Sequence, residues 1–191
     1  MYWFLIPLVL GFLSNLASAL TTRYSVKWGK TGGTFITILL RDIFGIPVWA
    51  IGFVMAISES SHMLYEVTLI FKIIGWLIIG IGGVIIIVAL VSIRTKAAAP
   101  STSDSLVKDG IYSVIRHPIH SGTFLEFIGL FILWPSLQVG IACALGIIWI
   151  LLQSGLEEKD LMTRIPEYKE YKSRVPAFIP GLKRDSPAST R

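Results

Sequence analysis

Cysteine, histidine and charge are what this chain has least of. One cysteine in 191 residues, Cys143, lies inside an apolar run, which excludes a disulfide scaffold and a cysteine-metal cluster. Three histidines, His62, His117 and His120, are too few and too scattered along the chain for a zinc site, so no metal is expected. Charged residues make up 15% of the chain against 53% hydrophobic ones, and the mean hydropathy is +0.70. That balance excludes an ordinary soluble domain. A net charge of +5 does not signal nucleic acid, because the basic residues flank apolar spans and form no soluble patch. The composition describes an integral membrane protein.

A spanning helix needs about 20 mostly apolar residues. Five stretches approach that length: residues 2–20, 35–57, 73–93, 118–133 and 137–155. The second carries Arg41 and Asp42 near its start, placed to snorkel or to pair. The last two are separated by Trp134-Pro135-Ser136, so short a connection that they form an antiparallel hairpin. The expected fold is all-α, with five transmembrane helices and a C-terminal cytoplasmic segment.

Basic residues concentrate in cytoplasmic loops. Arg23, Lys27 and Lys30 fall in the first connection, Arg94, Lys96, Lys108 and Arg116 in the third, and eight more after Gly155, leaving only Arg41 and Lys72 near helix ends. Fifteen of seventeen therefore face one side if the N-terminus is outside. Ala17-Ser18-Ala19 has the look of a signal-peptidase site, but no basic residue precedes the apolar run, so the first helix is expected to be retained. Gly75, Gly80, Gly82, Gly83 and Gly122 are read as close-packing positions. Residues 1–93 form the three N-terminal spans and 104–182 a functional region; residues 97–105 read as a linker and 183–191 as a disordered tail.

The chemistry gathers in two clusters. Arg116-His117-Pro118 opens the fourth span, where proline suits the first helical turn; the free backbone donors and helix dipole there make an anion site, strengthened by Arg116. Glu157-Glu158 follows the fifth span, where carboxylates suit a cationic ligand or the first turn of a new helix. The hairpin brings both clusters to one face. A ligand with separated positive and negative groups would satisfy both: the methionine end of S-adenosylmethionine qualifies, as does a zwitterionic lipid headgroup.

The series Leu106-Val107, Gly110, Tyr112, Arg116-His117-Pro118, then Glu157-Glu158, Leu161, Pro166-Glu167-Tyr168, Tyr171, Arg174-Val175-Pro176 and Ile179-Pro180 resembles the isoprenylcysteine carboxyl methyltransferase family, related to membrane phospholipid methyltransferases. The likeness covers about 80 C-terminal residues in order. It implies a membrane enzyme that binds S-adenosylmethionine at the cytoplasmic face and takes a lipidic or prenylated acceptor from the bilayer. By the same resemblance Leu106, Val107, Tyr112, His117, Pro118, Glu157 and Glu158 contact the cofactor, with Arg116 in the catalytic pocket.

Two positions depart from the family pattern. His120 stands where the family usually has tyrosine, and Gln153 where its eukaryotic carboxyl methyltransferases have a substrate-binding arginine. An amide can hydrogen-bond a carboxylate without supplying its countercharge. Transfer to a carboxylate needs no base, whereas an amine, thiol or phenol must shed a proton, for which His120 or the intramembrane Glu126 is placed; a structural hydrogen bond would account for Glu126 equally. Tyr168 and Tyr171 read as interfacial belt residues, or as a lid. The alternatives to prenylcysteine-type methyl transfer are phospholipid N-methylation, nicotinamide-dependent reduction by a membrane enzyme, and a non-catalytic membrane adaptor.

Overall fold

The computed structural model describes residues 2–60, 62–94 and 105–181. The linker read at 97–105 lies outside these apart from Ser105, and the tail at 183–191 lies wholly outside. Among the described residues the chain is helical and no strand forms. The helices are α1 (Leu5–Ser18), α2 (Thr21–Ile38), α3 (Ile46–Ser58), α4 (Leu69–Arg94), α5 (Pro118–Leu133), α6 (Leu137–Arg164) and α7 (Tyr168–Arg174). A π-helical turn, Leu39–Ile43, joins α2 to α3, and a 3-10 turn, Gly110–Ser113, precedes α5.

Three stretches are long and apolar enough to cross a membrane: Thr21–Ser58, Leu69–Ile93 and Leu137–Arg164. Helices α1 and α5 are apolar but shorter. The first basic connection is not a loop. Helix α2 begins at Thr21 and is kinked at Trp28-Gly29, where Gly29 takes a φ of +74° that a side-chain-bearing residue rarely adopts. In the π-turn Arg41 pairs with Asp42 through two hydrogen bonds of 2.7 and 3.0 Å, the pairing expected of them.

Close helix approach depends on glycine. A Cβ on Gly122 would stand 2.6 Å from the carbonyl of Gly82, and one on Gly82 2.6 Å from that of Gly122, so α4 and α5 touch backbone to backbone. Gly75 packs against Leu133 in the same seam, while Gly80 faces open space and takes no part. The five-residue aromatic cluster of Phe12, Trp49, Phe53, Phe127 and Trp149 locks α1, α3, α5 and α6 together; Phe12 stacks on Trp149 at 5.1 Å and Phe53 on Phe127 at 4.9 Å.

The α5–α6 hairpin forms as its turn residues require. Ser136 caps α6 by accepting from the Val139 amide, and its hydroxyl lies 2.6 Å from that of Ser60. The carbonyl of Pro135 accepts from the Leu64 amide. The α3–α4 connection and the hairpin turn thus share one end of the bundle, leaving residues 105–117 before α5 and the end of α6 at the other.

Candidate active site

Pro118 begins α5 because its missing N–H falls where a helix has no internal acceptor, and His117 caps it in a non-helical conformation. The C-terminal segment lies across this corner. The amides of Arg116 and His117 donate to the carbonyls of Pro176 and Ala177 at 2.9 Å each. Ser121 Oγ donates to the carbonyl of Phe178. The expectation that the donors beside Pro118 are free for an anion is corrected here: those of Arg116 and His117 are taken by the chain's own C-terminal strap, leaving only donors within the first helical turn.

The reading of the twin glutamates as a helix end or a new helix start is also corrected. Helix α6 runs without a break through Leu156-Glu157-Glu158 to Arg164, so the two carboxylates project at successive positions, about 100° apart on one helix. Glu158 turns into the protein. It accepts from Arg116 at 2.8 Å, His117 Nε2 at 3.0 Å and Lys172 at 2.7 Å, with Arg116 and Glu158 side chains about nine-tenths buried. Arg116 also donates to the carbonyls of Lys172 and Val175. Arg116 and Glu158 therefore clamp α5, α6 and α7 to one another.

Glu157 faces a different space. A cavity of about 350 Å³ is bounded by Leu106, Val107, Tyr112, Arg116, His117, Pro118, His120, Gln153 and Glu157, nine of the eleven residues singled out from the sequence. Glu158 does not line it. Neither does Glu126, which lies on the α4 side of α5 with its carboxylate 4.0 Å from where a Gly83 Cβ would sit. Sequence reasoning missed Asn15, Arg41, Trp49 and Trp149, which complete the wall from α1, the π-turn, α3 and α6. No local motif marks them; only the packing of the N-terminal helices brings them there.

Tyr168 and Tyr171 also line the cavity and are 2% and 8% exposed, so they are not belt residues. Tyr171 donates to the carbonyl of Tyr112 at 2.6 Å. Burial raises the Tyr112 and Tyr168 phenols and pushes Tyr171 up to about 12, so all three are neutral donors at physiological pH.

Two protons define the polar end of the cavity. Ionised Glu158 only accepts, so His117 donates to it from Nε2 and turns Nδ1 towards Glu157 at 3.8 Å. Ser154 donates its hydroxyl proton to the carbonyl of Ile150, so its oxygen accepts from His120 Nδ1 at 2.8 Å and leaves Nε2 bare. Gln153 Nε2 donates to the other oxygen of Glu157 at 2.9 Å. His117, His120 and Glu157 each present a ligand atom within 4.8 Å of the other two. Two imidazoles and a carboxylate converge, a set that suits a cationic group, whether an ammonium or a metal ion.

Comparison with known proteins bears on this arrangement. A family model described as phospholipid methyltransferase matches residues 70–169, which contain α5 and all of α6. The chain is 35% identical over 83 residues to the cobalt-zinc-cadmium resistance protein CzcN of Cupriavidus metallidurans, covering 42% of this chain and 38% of that one. It is 33% identical over 80 residues to methanethiol S-methyltransferase of Pseudomonas deceptionensis, covering 39% and 28%. It is 33% identical over 86 residues to human protein-S-isoprenylcysteine O-methyltransferase, covering 44% and 30%. The chain thus spans only about a third of the length of these curated relatives. No solved structure matches it. The resemblance read from the Arg116-His117-Pro118 and Glu157-Glu158 motifs and the family match over more than half of the chain agree: this protein belongs to the phospholipid methyltransferase family.

Proposed function

We propose that the protein transfers a methyl group from S-adenosylmethionine to a lipidic or prenylated acceptor, in the manner of a prenylcysteine carboxyl methyltransferase. The observation that carries this reading is the convergence of Leu106, Val107, Tyr112, His117, Pro118 and Glu157 on one cavity large enough for a small-molecule ligand. The residues fit the donor. Glu157 supplies a carboxylate for its ammonium at the polar end, and Leu106, Val107 and Tyr112 give its uncharged parts an apolar wall.

When bound, S-adenosylmethionine supplies an electrophilic methyl group on a positively charged sulfur. The chain's own part is to hold the two partners in line and exclude water. Glu157 neutralises the cationic end of the donor. Tyr168 and Tyr171, strapped over the site by the Tyr171–Tyr112 bond, close it from the aqueous side. The acceptor end belongs to Asn15, Trp49, Trp149 and Gln153. Among the described residues each carries a buried polar atom without a protein partner, a cost of about 1–3 kcal/mol apiece that a polar ligand group would relieve. Ile46 and Ile93, also on the wall, offer an apolar approach from the bilayer.

The topology that suits this reading has five crossings. Helix α1, the bent α2–α3 unit, α4, α5 and α6 traverse the membrane, with the N-terminus outside and the cavity at the cytoplasmic leaflet, where the basic residues collect. Tilt and local thinning accommodate the sixteen residues of α5.

A second reading, N-methylation of a phospholipid amine, is favoured by one observation: His120 presents a bare Nε2, held in that tautomer by Ser154, able to take the proton such an acceptor must lose. The test is incubation of purified protein with methyl-labelled S-adenosylmethionine and fractionated lipids, beside Glu157→Gln and His117→Ala. Label in a prenylcysteine fraction supports the first reading, label in an amino-phospholipid the second, and equal labelling by all three proteins overturns the site.

A further inference from the structure

The polar end of the cavity has the construction of a transition-metal site. Two imidazoles and one carboxylate form a His2Glu set, a combination that holds zinc with a fourth position open. Both rings are buried, at 7% and 9% exposure, so neither is a loose surface ligand. Each ring is fixed from behind: His117 Nε2 by the Glu158 carboxylate and His120 Nδ1 by Ser154. Outer partners of this kind set the tautomer and aim the remaining lone pair, as they do behind metal-ligating histidines. The three ligand atoms lie within 4.8 Å of one another, so a formed site draws them together. Bonds of about 2.0–2.1 Å put tetrahedral ligand atoms roughly 3.4 Å apart, against 3.8 Å between His117 Nδ1 and Glu157 Oε2.

Charge points the same way. Arg116 and Lys172 are spent on Glu158, and among the described residues the ion pair of Glu157 is with His117, not with a lysine or arginine. Glu157 thus faces two imidazoles, and among the described residues no lysine or arginine pairs with it. Two nitrogens and one oxygen favour zinc, cobalt or nickel over magnesium or calcium, which prefer oxygen alone.

We propose that His117 Nδ1, His120 Nε2 and Glu157 bind a divalent transition-metal ion, zinc in type, and that this ion and the methyl donor exclude each other. The exclusion rests on the reading of the same cavity as the donor site; the metal site itself does not.

The test uses tag-free full-length protein in detergent. Zinc is titrated calorimetrically with and without saturating S-adenosylhomocysteine, and cobalt is followed by the visible absorption of tetrahedral Co²⁺. The expected result is one equivalent of zinc, at least about 10-fold weaker binding with S-adenosylhomocysteine present, and about 10- to 100-fold weaker binding in Ser154→Ala, whose side chain holds His120 and is not itself a ligand. His120→Ala and Glu157→Gln should lose binding and the tetrahedral cobalt spectrum, while His62→Ala, altered at an exposed histidine of the α3–α4 connection, should bind as the natural protein does. Absence of zinc binding, or equal binding in His120→Ala and the natural protein, overturns the metal site. Zinc that S-adenosylhomocysteine fails to displace, although the latter binds on its own, overturns the exclusion. Failure of S-adenosylhomocysteine to bind alone removes the donor reading and leaves the metal result standing.

Discussion

The phenol of Tyr171 donates to the backbone carbonyl of Tyr112 at 2.6 Å, joining α7 to the 3-10 turn before α5 across 59 residues of chain. Both residues line the cavity. It adds to the bonds by which Arg116 and His117, also on the cavity wall, hold the C-terminal strap.

Tyr171→Phe deletes this bond while keeping the ring. The buried carbonyl of Tyr112 loses its donor, so the variant should be less stable by about 1–3 kcal/mol. Its binding of S-adenosylhomocysteine should weaken several-fold through faster release. Thermal unfolding and stopped-flow dissociation measure the two effects, and an unchanged release rate would show that the strap does not close the site.

Arg116→Ala leaves Glu158 buried beside His117 with only Lys172 as its cation. Breaking a buried pair from one side costs about 3–5 kcal/mol. Arg116→Lys should recover only part, because an ammonium cannot reach Glu158 and the carbonyls of Lys172 and Val175 with the planar fork of guanidinium. Limited proteolysis at 165–181 reads the loosening directly, and equal protection of all three proteins would contradict the clamp.

At the α4–α5 seam, Gly122→Ala places a methyl 2.6 Å from the Gly82 carbonyl, a backbone atom that cannot swing aside. The expected loss is about 1–3 kcal/mol. Gly80→Ala is the control: nothing lies within 4 Å of its Cβ, and alanine's helix propensity should raise stability by up to about 1 kcal/mol. Thermal unfolding in matched detergent separates the two.

Gln153 is the position at which the likeness to carboxyl methyltransferases fails, and its amide is hydrogen-bonded to Glu157 at 2.9 Å. Gln153→Arg supplies the missing charge. If a carboxylate is the acceptor, kcat/KM for a farnesylcysteine analogue should rise roughly five- to tenfold, the difference between a neutral and a charge-assisted hydrogen bond. A fall with this analogue, beside a preserved rate on an amino-phospholipid, would favour the amine reading.

Much of this architecture was legible in the sequence, and what was not has physical causes. Trp134-Pro135-Ser136 fixed the hairpin because a turn that short permits only antiparallel helices. The motif residues converged because that hairpin returns Glu157 to the level of His117. The charges at Glu157 to Asp160 looked like a helix exit, yet Glu, Lys and Leu are all good helix formers and α6 continues through them. Residues 35–57 read as one span; the π-turn at Leu39–Ile43 interrupts its helix, and the charged pair Arg41-Asp42 falls inside that turn. Asn15 and Trp49 carry no local mark as site residues, and Arg41 stands out only as a charge expected to snorkel or pair. Gly11 and Gly52 let α1 and α3 come into backbone contact, with a Gly11 Cβ falling 2.3 Å from the Trp49 nitrogen, and that packing carries Asn15 and Trp49 to the cavity.

If the cavity bounded by His117, Tyr112 and Glu157 holds the methyl donor, its affinity depends on Glu157. Equilibrium binding of labelled S-adenosylmethionine to purified natural protein and to Glu157→Gln tests it most directly. Binding should be saturable and one-to-one, and at least about tenfold weaker in the variant because a charge-assisted contact to the ammonium is lost. Equal binding by the two proteins, or none by the natural one, would contradict it.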